Sequence, residues 1–350
     1  MDILFVLAGD ETRASTRYRV LNLLPALTEA GIKYETASAN KYEDVIPGPD
    51  SIGYGLFTFE LLLRAPQHDV LFLQKVPLPA PVLKVLSKAY DKIIYDFDDA
   101  LYAAPEWEDR ESQWKSFLNQ TLQHSSVVLT GNPVLSDYAR QFTDTVVCLP
   151  TTLPAEAYRA KRNQGSHSDA DTVTLGWIGN PQNLHYLASI EATLEEILNA
   201  NDAVEFHIIT AGDLPTTPLQ NHPDVTYKTW TLEDELDLLE AVDIGLRPLF
   251  DDEWTRGKGG YTSVVQMMAL GIPVVVSPVG MITDIVEHSY SGYHANLLEE
   301  WTRYISELIE DEQKRTSFGE HAYEAVEKQR FWTDQRAEEW VNVFADLNSE

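Results

Sequence analysis

The sequence predicts an α/β protein with two doubly wound parallel sheets, and three observations lead to this prediction. The chain has 350 residues, which favours two domains at roughly 100–200 residues per domain. Short apolar runs such as "ILFVLAG" at residues 3–9 alternate with segments of helical periodicity, as in parallel sheets that are buried on both faces. The alternation stops once, in the polar stretch "AKRNQGSHSDADTV" at residues 160–173, and then starts again.

The N-terminal half, residues 1–165, is predicted to form the first sheet and its helices. After the first strand comes "STRYRVLNLLPALTEAG", a single predicted helix in which Ser15 or Thr16 caps the start and Gly31 closes the end. The remaining predicted strands are "KYETAS", "DVLFLQ", "KIIYDF", "SVVLTG" and "TVVCLP".

The C-terminal half, residues 166–330, repeats the alternation without repeating the sequence. Its predicted strands are "TLGWIGN", "VEFHIITAG", "DIGLRPL" and "PVVVSPVG", and its predicted helices include "NLHYLASIEATLEEILNA", "TLEDELDLLEAV" and "TSVVQMMALG". Residues 331–350 are predicted to form a final amphipathic helix that packs back on the N-terminal domain. Because ligands of doubly wound sheets bind at the carboxyl ends of the strands, we expect the two domains to face each other across a cleft.

The charge of the chain narrows the classes of partner. Asp and Glu number 55 and Lys and Arg 26, a net charge of −29. Such a field repels phosphates, so non-specific binding to nucleic acid or to an anionic membrane is not expected. A solvated acidic surface explains the excess in the simplest way, and its spread along the whole chain also suggests a halophilic protein.

Cysteine and histidine usage argues against metal and disulfide chemistry. Cys148 is the only cysteine, which excludes an intrachain disulfide and, in practice, a zinc site built on cysteines. The nine histidines show no metal-ligand spacing. The opening "MDILFVLAG" has no charged region or cleavage site, and no run approaches the ~18 apolar residues of a membrane span. We expect a cytoplasmic protein.

The stretch "TRGKGGYTS" at residues 255–263 predicts an anion site. Arg256 and Lys258 lie in a predicted loop just before a helix, and a helix start with free N–H groups attracts anions. The loop glycines are Gly257, Gly259 and Gly260, and the predicted free N–H groups are those of Gly260, Tyr261 and Thr262. The alternative is a surface loop whose cations pair with the acidic residues at 251–253. The order of residues is not that of a Walker A loop.

A second candidate anion site follows the first strand. Gly9 supplies backbone freedom in "AGDETRASTRYR", and Arg17 and Arg19 are predicted in the first helical turn. Cations are unfavourable there unless an anion compensates them. The alternative is that both side chains extend to solvent.

Several segments, in their order along the chain, resemble the retaining glycosyltransferases of family 4, which have the GT-B fold. "DIGLRPL…RGKGGYTSVVQMMALGIPVVVSPVG" resembles the donor-binding segment of that family, and "TLGWIGNPQNLHYL" resembles the strand and turn that open its C-terminal domain. "SSVVLTGNPVLSDYA" and "IVEHSYSGYHA" resemble further segments. The resemblance implies two Rossmann-like domains, an N-terminal acceptor domain and a C-terminal domain that binds a nucleotide sugar.

The resemblance also implies a reaction. A sugar moves from a nucleotide-diphosphate sugar to a glycan, a lipid-linked molecule or a small molecule, with retention, without a bound metal or other cofactor, and with at most peripheral membrane contact. Arg256, Lys258 and the helix N–H groups would stabilise the departing diphosphate. Family members often carry two glutamates eight positions apart, where this chain has Lys258 and Gln266. Gln266 is expected to bind ribose, and the missing glutamates leave a non-catalytic sugar-nucleotide-binding protein as an alternative.

Further donor contacts follow from the same resemblance. The turn formed by Gly179 and Asn180 is expected to contact the donor, and the base is expected near residues 211–214 and 230–232, where Trp230 can stack on it. His185 lies where relatives contact phosphate. Trp230 as a core residue is the alternative.

The stretch "KIIYDFDDALY" at residues 92–102 allows several interpretations. Asp-rich strand ends arise as turns and helix caps. The stretch also resembles the D-x-D metal site of the other glycosyltransferase fold; against this, the donor features lie in the other half of the chain. In the glycosyltransferase interpretation Asp98 takes the place of a histidine that faces the donor sugar, and it binds a sugar hydroxyl or assists the acceptor. The stretch also resembles the D-x-D-G-T motif of haloacid-dehalogenase phosphohydrolases, with Asp96 as nucleophile and Asp98 as acid/base. Against this alternative, Asp99 and Ala100 replace Gly-Thr, and the motif does not follow the first strand.

Overall fold

The computed structural model describes residues 1–39, 52–103, 111–163, 172–212, 218–258 and 261–347. The chain forms two compact units: unit 1 comprises Met1–Thr152, Arg256–Gly259 and Thr333–Glu350, and unit 2 comprises Leu153–Thr255 and Gly260–Trp332. The predicted boundary between residues 165 and 166 lies outside the described residues. The predicted domain limits stay predictions.

Unit 1 contains a parallel sheet of six strands in the order β2-β1-β3-β4-β5-β6. The strands are β1 (Asp2–Leu7), β2 (Lys33–Ser38), β3 (Val70–Gln74), β4 (Lys92–Phe97), β5 (Val127–Thr130) and β6 (Val146–Cys148). All five residues of β3 are buried, because helices cover both faces of such a sheet. The strand order reverses its direction between β1 and β3.

The helices of the N-terminal half are α1 (Ala14–Arg19), α2 (Leu24–Glu29), α3 (Ile52–Arg64), α4 (Ala80–Leu86), α5 (Glu111–His124) and α6 (Pro133–Ala139). The single helix predicted after β1 is therefore wrong: α1 and α2 are separated by a 3₁₀ turn at Leu21–Leu23. Pro25 lies in the first turn of α2, and a proline ring cannot continue a helix from the preceding residues. Gly31, at φ +74°, ends α2 as predicted.

Unit 2 contains a second parallel sheet of six strands, in the order β12-β11-β10-β7-β8-β9. The strands are β7 (Val173–Ile178), β8 (Val204–Thr210), β9 (Val225–Thr229), β10 (Ile244–Arg247), β11 (Val274–Val276) and β12 (Gly292–His294). The order reverses between β7 and β10, which is the order of the dinucleotide-binding fold. The prediction missed β9 and β12, the two edge strands, because both are short and only partly apolar.

The helices of the C-terminal half are α7 (Ala155–Arg162), α8 (Glu191–Ala200), α9 (Glu235–Glu240), α10 (Glu253–Gly257), α11 (Thr262–Ala269), α12 (Ile282–Ile285), α13 (Leu298–Glu310) and α14 (Glu312–Lys328). The predicted helix after β7 begins instead as a 3₁₀ run, Pro181–Ile190. Ile190 has φ −122° and ψ 13°, which is outside the α region, so the α-helix starts only at Glu191.

The last helix, α15 (Thr333–Leu347), belongs to unit 1. Trp340 and Phe344 are buried with the apolar side chains of the unit 1 sheet, and the ring of Phe344 lies 6.0 Å from that of Phe5. The unit 1 core is therefore built from both ends of the chain. No helix in the described part of the chain is long and apolar enough to cross a membrane.

The predicted fold class, α/β with two doubly wound parallel sheets, is confirmed. Its physical basis is the burial of both faces of each sheet. Val70, Phe72 and Ile94 lie in the core of unit 1, and Leu175 and Phe206 lie in the core of unit 2. The apolar runs that predicted strands are thus the residues that fill these cores.

Candidate functional site

Each sheet has one place where the strand order reverses. In unit 1 it lies at β1 and β3, and in unit 2 at β7 and β10. Ligands of doubly wound sheets bind in the crevice outside the carboxyl ends of the strands at this place. We call the carboxyl ends of β1 and β3 the unit 1 switch point, and those of β7 and β10 the unit 2 switch point.

Gln74, the last residue of β3, places a hydrogen-bond donor at the unit 1 switch point. The side chain is 0% exposed, and its Oε1 accepts from the Ala8 N–H at 3.1 Å and from the Thr16 hydroxyl at 3.2 Å. A backbone N–H can only donate, so the first contact fixes which end of the amide is the oxygen. The Nε2 group then has no hydrogen-bond partner among the described residues, and it can donate to a ligand.

Lys75 and two carboxylates form a charged cluster directly after Gln74. Lys75 has φ +54°, a conformation that is uncommon for a residue with a side chain and that occurs often at functional sites. Its Nζ contacts Asp98 Oδ1 at 3.2 Å and also contacts the carboxylate of Asp99. Burial lowers the pKa of Lys75, but the two carboxylates outweigh it and raise the pKa above its ordinary value. The ammonium group therefore keeps its charge and holds both carboxylates.

Asp98, which the sequence predicted as catalytic, is buried in this cluster. The residue is 5% exposed, and its Oδ1 accepts no hydrogen bond from the described part of the chain, so the contact with Lys75 is an ion pair only. Burial raises the pKa of Asp98 against the opposing charge of Lys75, and the Asp99 carboxylate adds to the rise. A carboxyl group in this state can accept a hydrogen bond from a hydroxyl and take its proton.

Asp96 has a structural role, and its predicted role as a phosphohydrolase nucleophile is wrong. The carboxylate is fully buried and accepts from Arg19 Nε at 3.1 Å and 2.9 Å and from Arg19 Nη2. Arg19 Nη1 also donates to the Leu149 carbonyl at 2.8 Å. A nucleophile must reach its substrate, and both oxygens of Asp96 are held by a buried guanidinium.

The prediction that Arg17 and Arg19 lie in the first turn of a helix is also wrong. Helix α1 is six residues long, and both arginines lie in its last turn, where cations are favourable. Arg17 is buried and donates to the Glu11 carbonyl at 2.9 Å. A Cβ at Gly9 would lie 2.8 Å from Cδ of Arg13, a flexible side chain. The donor-binding roles of Gly9 and Arg17 stay predictions.

Arg256 lies in a short helix, not in the loop that the sequence predicted. Asp252 caps α10, since its Oδ1 accepts from the Thr255 N–H at 2.7 Å and its own N–H donates to Thr255 Oγ1 at 3.1 Å. This reciprocal arrangement is a capping box with threonine in the third position. The side chain of Arg256 is exposed and that of Lys258 is half-buried. Their predicted contact with a diphosphate stays a prediction.

Gly257 lies close to Asn132 and Ala100 of unit 1. Its carbonyl accepts from Asn132 Nδ2 at 3.2 Å, and a Cβ at this position would lie 2.8 Å from Cβ of Ala100. The glycine is therefore required by packing within unit 1. Gly259 and Gly260, the other glycines of the predicted anion site, lie outside the described residues.

Two of the predicted donor residues of unit 2, Gly179 and Trp230, contact other residues of the unit. A Cβ at Gly179 would lie 2.7 Å from the ring of Trp177, so packing alone requires this glycine. Asn180 is exposed at the start of the 3₁₀ run. Trp230 is half-buried, and its Nε1 donates to Glu235 Oε2 at 2.9 Å. Residues 213 and 214 of the predicted base-binding region lie outside the described residues.

The first side chains of α11 and the residue before it are buried or half-buried. Tyr261 precedes the helix and is buried, and Thr262 is half-buried. Gln266 is buried, and its Nε2 donates to the Tyr158 hydroxyl at 2.9 Å. The amide that was predicted to bind ribose thus makes at least one bond inside unit 2. His185 donates from Nδ1 to the Gln182 carbonyl oxygen at 2.6 Å.

Arg247, the last residue of β10, is a feature of the unit 2 switch point that the sequence interpretation missed. The residue is 3% exposed, and its Nη1 reaches the Ile178 carbonyl oxygen at the long distance of 3.4 Å. Its Nε has no hydrogen-bond partner among the described residues. Burial lowers the pKa of Arg247 to about 10, and Tyr186 opposes the change. The sequence signal was an arginine within the otherwise apolar strand "DIGLRPL".

The described residues contain no group of three or more His, Cys, Asp or Glu side chains that could hold a metal ion. The expectation that the protein needs no metal stays a prediction.

Residues 172–311, the larger part of unit 2, match the family model of glycosyl transferases group 1. The chain is 26% identical over 106 residues to a GDP-Man:Man(3)GlcNAc(2)-PP-Dol alpha-1,2-mannosyltransferase of Dictyostelium discoideum. That match covers 30% of this chain and 20% of the relative, so the chain aligns with only a fifth of that protein.

Solved structures share the whole fold. Sucrose-phosphate synthase of Thermosynechococcus elongatus superposes with a TM-score of 0.76 at 14% identity over 99% of each chain. HepE of Anabaena, in complex with UDP and glucose, superposes with a TM-score of 0.69 at 16% identity over 98% of this chain and 99% of HepE. The resemblance to GT-B glycosyltransferases is thereby confirmed, and the phosphohydrolase alternative gains no support from these matches. Residues 172–311 of the chain are therefore similar to glycosyl transferases group 1.

Proposed function

We propose that the protein is a glycosyltransferase that moves a sugar from a nucleotide-diphosphate sugar to a hydroxyl group of an acceptor, with retention at the anomeric carbon. The observation that carries the proposal is the match of residues 172–311 to glycosyl transferases group 1. The Dictyostelium relative is named for a GDP-mannose donor and a dolichol-linked acceptor, and HepE was crystallised with UDP and glucose. These names support the class of donor and leave a glycan, a lipid-linked molecule or a small molecule as the acceptor.

Unit 1 supplies groups suited to a hydroxyl. Asp98 is a buried carboxyl group with a raised pKa, and its Oδ1 accepts no hydrogen bond from the described residues. Gln74 Nε2 is a donor without a partner among the described residues. One acceptor and one donor match the two hydrogen-bonding functions of a sugar hydroxyl. In this proposal Asp98 accepts a hydroxyl hydrogen and Lys75 fixes the position of its carboxylate.

Departure of the nucleoside diphosphate is the second part of the proposed reaction. Arg256, Lys258 and the N–H groups at the start of α11 would stabilise the negative charge that develops on the diphosphate. A fixed positive charge lowers the barrier only when it is directed at the charge that forms in the transition state. No metal is required for this step in the proposal.

A non-catalytic sugar-nucleotide-binding protein is the second candidate. The observation that favours it is the replacement of the two family glutamates by Lys258 and Gln266, together with the hydrogen bond from Gln266 to Tyr158. Such a protein would bind a nucleotide sugar and release nothing.

A screen of nucleotide sugars separates the two candidates. The protein is incubated with UDP-, GDP-, ADP- and TDP-sugars and a mixture of glycosides, and nucleoside diphosphate release and acceptor mass are measured. Release of a nucleoside diphosphate with a matching mass gain of one acceptor supports the transferase. Binding in a thermal-shift assay without release supports the second candidate, and neither binding nor release contradicts both.

The acidic excess is proposed to adapt the protein to high salt. Repulsion within a chain of net charge −29 destabilises the compact state and is screened by salt. The expected result is unfolding when the protein is diluted into low salt, measured by circular dichroism. Unchanged stability would contradict the proposal.

A further inference from the structure

Helix α3 of unit 1 exposes an apolar face to solvent. Phe57 and Leu61 are buried, whereas Leu56, Phe59 and Leu63 are 53%, 59% and 61% exposed. The three exposed side chains are three and four positions apart, so they lie on one face of the helix. Large apolar side chains that share an exposed face mark a site of contact with another molecule more often than scattered ones do.

Helix α4 lies beside α3 and adds positive charge. The two helices pack together, and the hydroxyl of Tyr90, which follows α4, donates to the Leu61 carbonyl of α3 at 2.6 Å. Val85 is 45% exposed, and Lys84 and Lys88 on either side of it in the sequence are exposed as well. We call the exposed side chains of these two segments the α3–α4 surface: Leu56, Phe59, Leu63, Lys84, Val85 and Lys88.

The charge of the α3–α4 surface differs in sign from that of the chain. Residues 76–90 contain two lysines and no Asp or Glu, in a chain of net charge −29. The only carboxylate of α3, that of Glu60, pairs with Arg64 Nη2 at 2.8 Å, and Arg64 Nη1 contacts the carboxylate of Glu35 in β2. The lysines of α4 are therefore an excess over the paired charges of α3.

This local charge decides how the surface meets an anionic partner. The Debye length is about 10 Å at 0.1 M salt, so charges farther than this from a contact are largely screened. The repulsion from an anionic membrane that the net charge predicts therefore does not extend to the α3–α4 surface. Exposed apolar side chains next to unscreened lysines complement a surface that is itself apolar and negative.

We propose that the α3–α4 surface docks the protein on a lipid membrane that contains anionic headgroups. The leucine and phenylalanine side chains enter the boundary between headgroups and acyl chains, and Lys84 and Lys88 extend to the lipid phosphates. Apolar contact and charge together provide the two signals that membrane binding requires. The inference goes beyond the proposed function and does not depend on it.

A second copy of the chain and an acidic protein match the surface less well. In a symmetric dimer each surface faces its own copy, so lysines would meet lysines. Lysine is also depleted from protein–protein interfaces, whereas its apolar stem and charged end suit the boundary of a membrane. A lipid surface is therefore the better match.

Flotation with lipid vesicles tests the inference on the full chain. The wild type is mixed with vesicles of phosphatidylcholine, or of phosphatidylcholine and phosphatidylglycerol in equal amounts. The salt concentration is the lowest at which circular dichroism shows a folded protein. We expect stronger binding to the mixed vesicles, and weaker binding to them as salt is raised, since salt screens the lysines.

Two variants separate the apolar and the charged parts of the surface. Leu56→Ser/Phe59→Ser/Leu63→Ser removes the apolar side chains and is expected to weaken binding to the mixed vesicles by about 10-fold or more. Lys84→Glu/Lys88→Glu reverses both charges and is expected to weaken it by about 10- to 100-fold. All these positions are exposed, so circular dichroism should show folded variants.

Each variant has a control with a similar change elsewhere. Leu297→Ser/Leu298→Ser replaces two exposed leucines of unit 2. Lys33→Glu/Lys328→Glu changes the net charge by the same amount as the α4 variant, at two exposed lysines outside the surface. Both controls should bind the vesicles like the wild type.

Several outcomes would overturn the inference. A folded wild type that floats with neither kind of vesicle does so, and so does equal binding of the wild type and either surface variant. Equal weakening by Lys33→Glu/Lys328→Glu would mean that net charge alone decides. Binding of polyglutamate in place of the vesicles would indicate an acidic protein partner, and a dimer in solution that the serine variant dissociates would indicate an interface between copies.

The result is independent of the nucleotide-sugar screen. Vesicle binding that requires the α3–α4 surface, without transfer to any acceptor, supports the inference and contradicts the proposed transferase. Transfer of a sugar by a protein that binds no vesicles contradicts the inference alone.

Discussion

The two switch points have the same architecture and different chemistry. At the unit 1 switch point the charges are compensated, because Lys75 lies between Asp98 and Asp99. The neutral amide of Gln74 provides a donor that has no partner among the described residues. At the unit 2 switch point the free donor belongs to a buried cation, Arg247, without a carboxylate partner among the described residues. The first arrangement suits a neutral, hydroxyl-bearing ligand and the second an anion.

In the proposed reaction, which needs two substrates, this difference assigns one kind of ligand to each sheet. Sheet order determines where a ligand binds, since it determines where the strands separate. The last residues of the strands then determine which ligand binds. Glutamine at the end of β3 and arginine at the end of β10 occupy equivalent positions in the two sheets, and their side chains differ in charge.

The largest expected effect comes from Arg19, the compensated counterpart of Arg247. Arg19→Met leaves Asp96 buried without its cation, and breaking a buried pair in this way is expected to cost about 3–5 kcal/mol of stability. The free energy of unfolding is measured in urea. The double variant Arg19→Met/Asp96→Leu should recover much of the loss.

If Arg19→Met were as stable as the wild type, the claim that Arg19 is stabilised by its carboxylate partner and Arg247 is not would be contradicted. A loss of stability in Arg247→Met as large as that in Arg19→Met would contradict the same claim.

The next effect concerns Asp98. Asp98→Asn keeps the shape of the side chain and removes its ability to take a proton, so transfer is expected to slow by about 10²- to 10⁴-fold, with little change in donor affinity. The rate is measured with the donor and acceptor found in the nucleotide-sugar screen. The exposed Asp137, paired with Arg140, offers the control Asp137→Asn. An unchanged rate in Asp98→Asn would remove Asp98 from the mechanism.

A smaller effect is expected for Gln74. Gln74→Glu keeps an oxygen for the Ala8 N–H and the Thr16 hydroxyl but loses the Nε2 donor. The KM for the acceptor is expected to rise by about tenfold, the value of one net hydrogen bond, while the affinity for pyrophosphate stays the same. Gln74→Leu, which also deprives Ala8 and Thr16 of their acceptor, should cost about 1–3 kcal/mol of stability in addition. If Gln74→Glu changed the affinity for pyrophosphate and left the KM for the acceptor unchanged, the assignment of different ligands to the two switch points would be contradicted.

The smallest expected effect is a shift in the pH profile. The pKa of Asp98 is raised by burial, so the carboxylate that accepts a proton forms at higher pH than for an ordinary aspartate, and kcat/KM should decline at correspondingly higher pH on the acid side. The folded state holds the Asp98 proton more tightly than the unfolded state. The contribution of this group to stability is therefore fully present below the unfolded pKa and is lost as pH rises through the folded pKa.

The acid limb of the profile is measured for the wild type and for Asp99→Asn. The Asp99 carboxylate raises the pKa of Asp98, so this variant should move the acid limb to lower pH. If the acid limb of the pH profile does not shift in Asp99→Asn, it reports the titration of a group other than Asp98.

Much of the fold follows from local sequence patterns. The runs in β1, β3 and β4 are apolar because both faces of a parallel sheet are covered, and this requirement is visible in the sequence itself. The edge strands β9 and β12 have weaker patterns, since an edge strand packs on fewer neighbours. The break between α1 and α2 was also visible at Pro25, although the apolar spacing favoured one helix.

The site residues were harder to predict because their roles depend on partners that are distant in sequence. Arg19 and Asp96 are 77 positions apart, and only their buried contact shows that neither is a ligand-binding or nucleophilic group. The sequence predicts Arg17 and Arg19 in the first turn because Ser15 or Thr16 is the expected cap, whereas α1 begins at Ala14 and its N-cap, Arg13, makes no side-chain cap. The sequence predicts that Gly179 and Gly257 face a ligand, but the side chains of Trp177 and Ala100 explain why each is a glycine.

The sequence by itself determined the two sheets, the similarity of residues 172–311 to glycosyl transferases group 1 and the acidic net charge, because these depend on local periodicity, on the order of segments and on composition. The tertiary structure alone decided which buried polar groups are satisfied. An arginine in an apolar strand has the same local pattern whether or not a carboxylate lies beside it. The physical reason is that the free energy of a buried charge depends on everything packed around it, and for Arg247 those neighbours come from other strands and from the 3₁₀ run after β7.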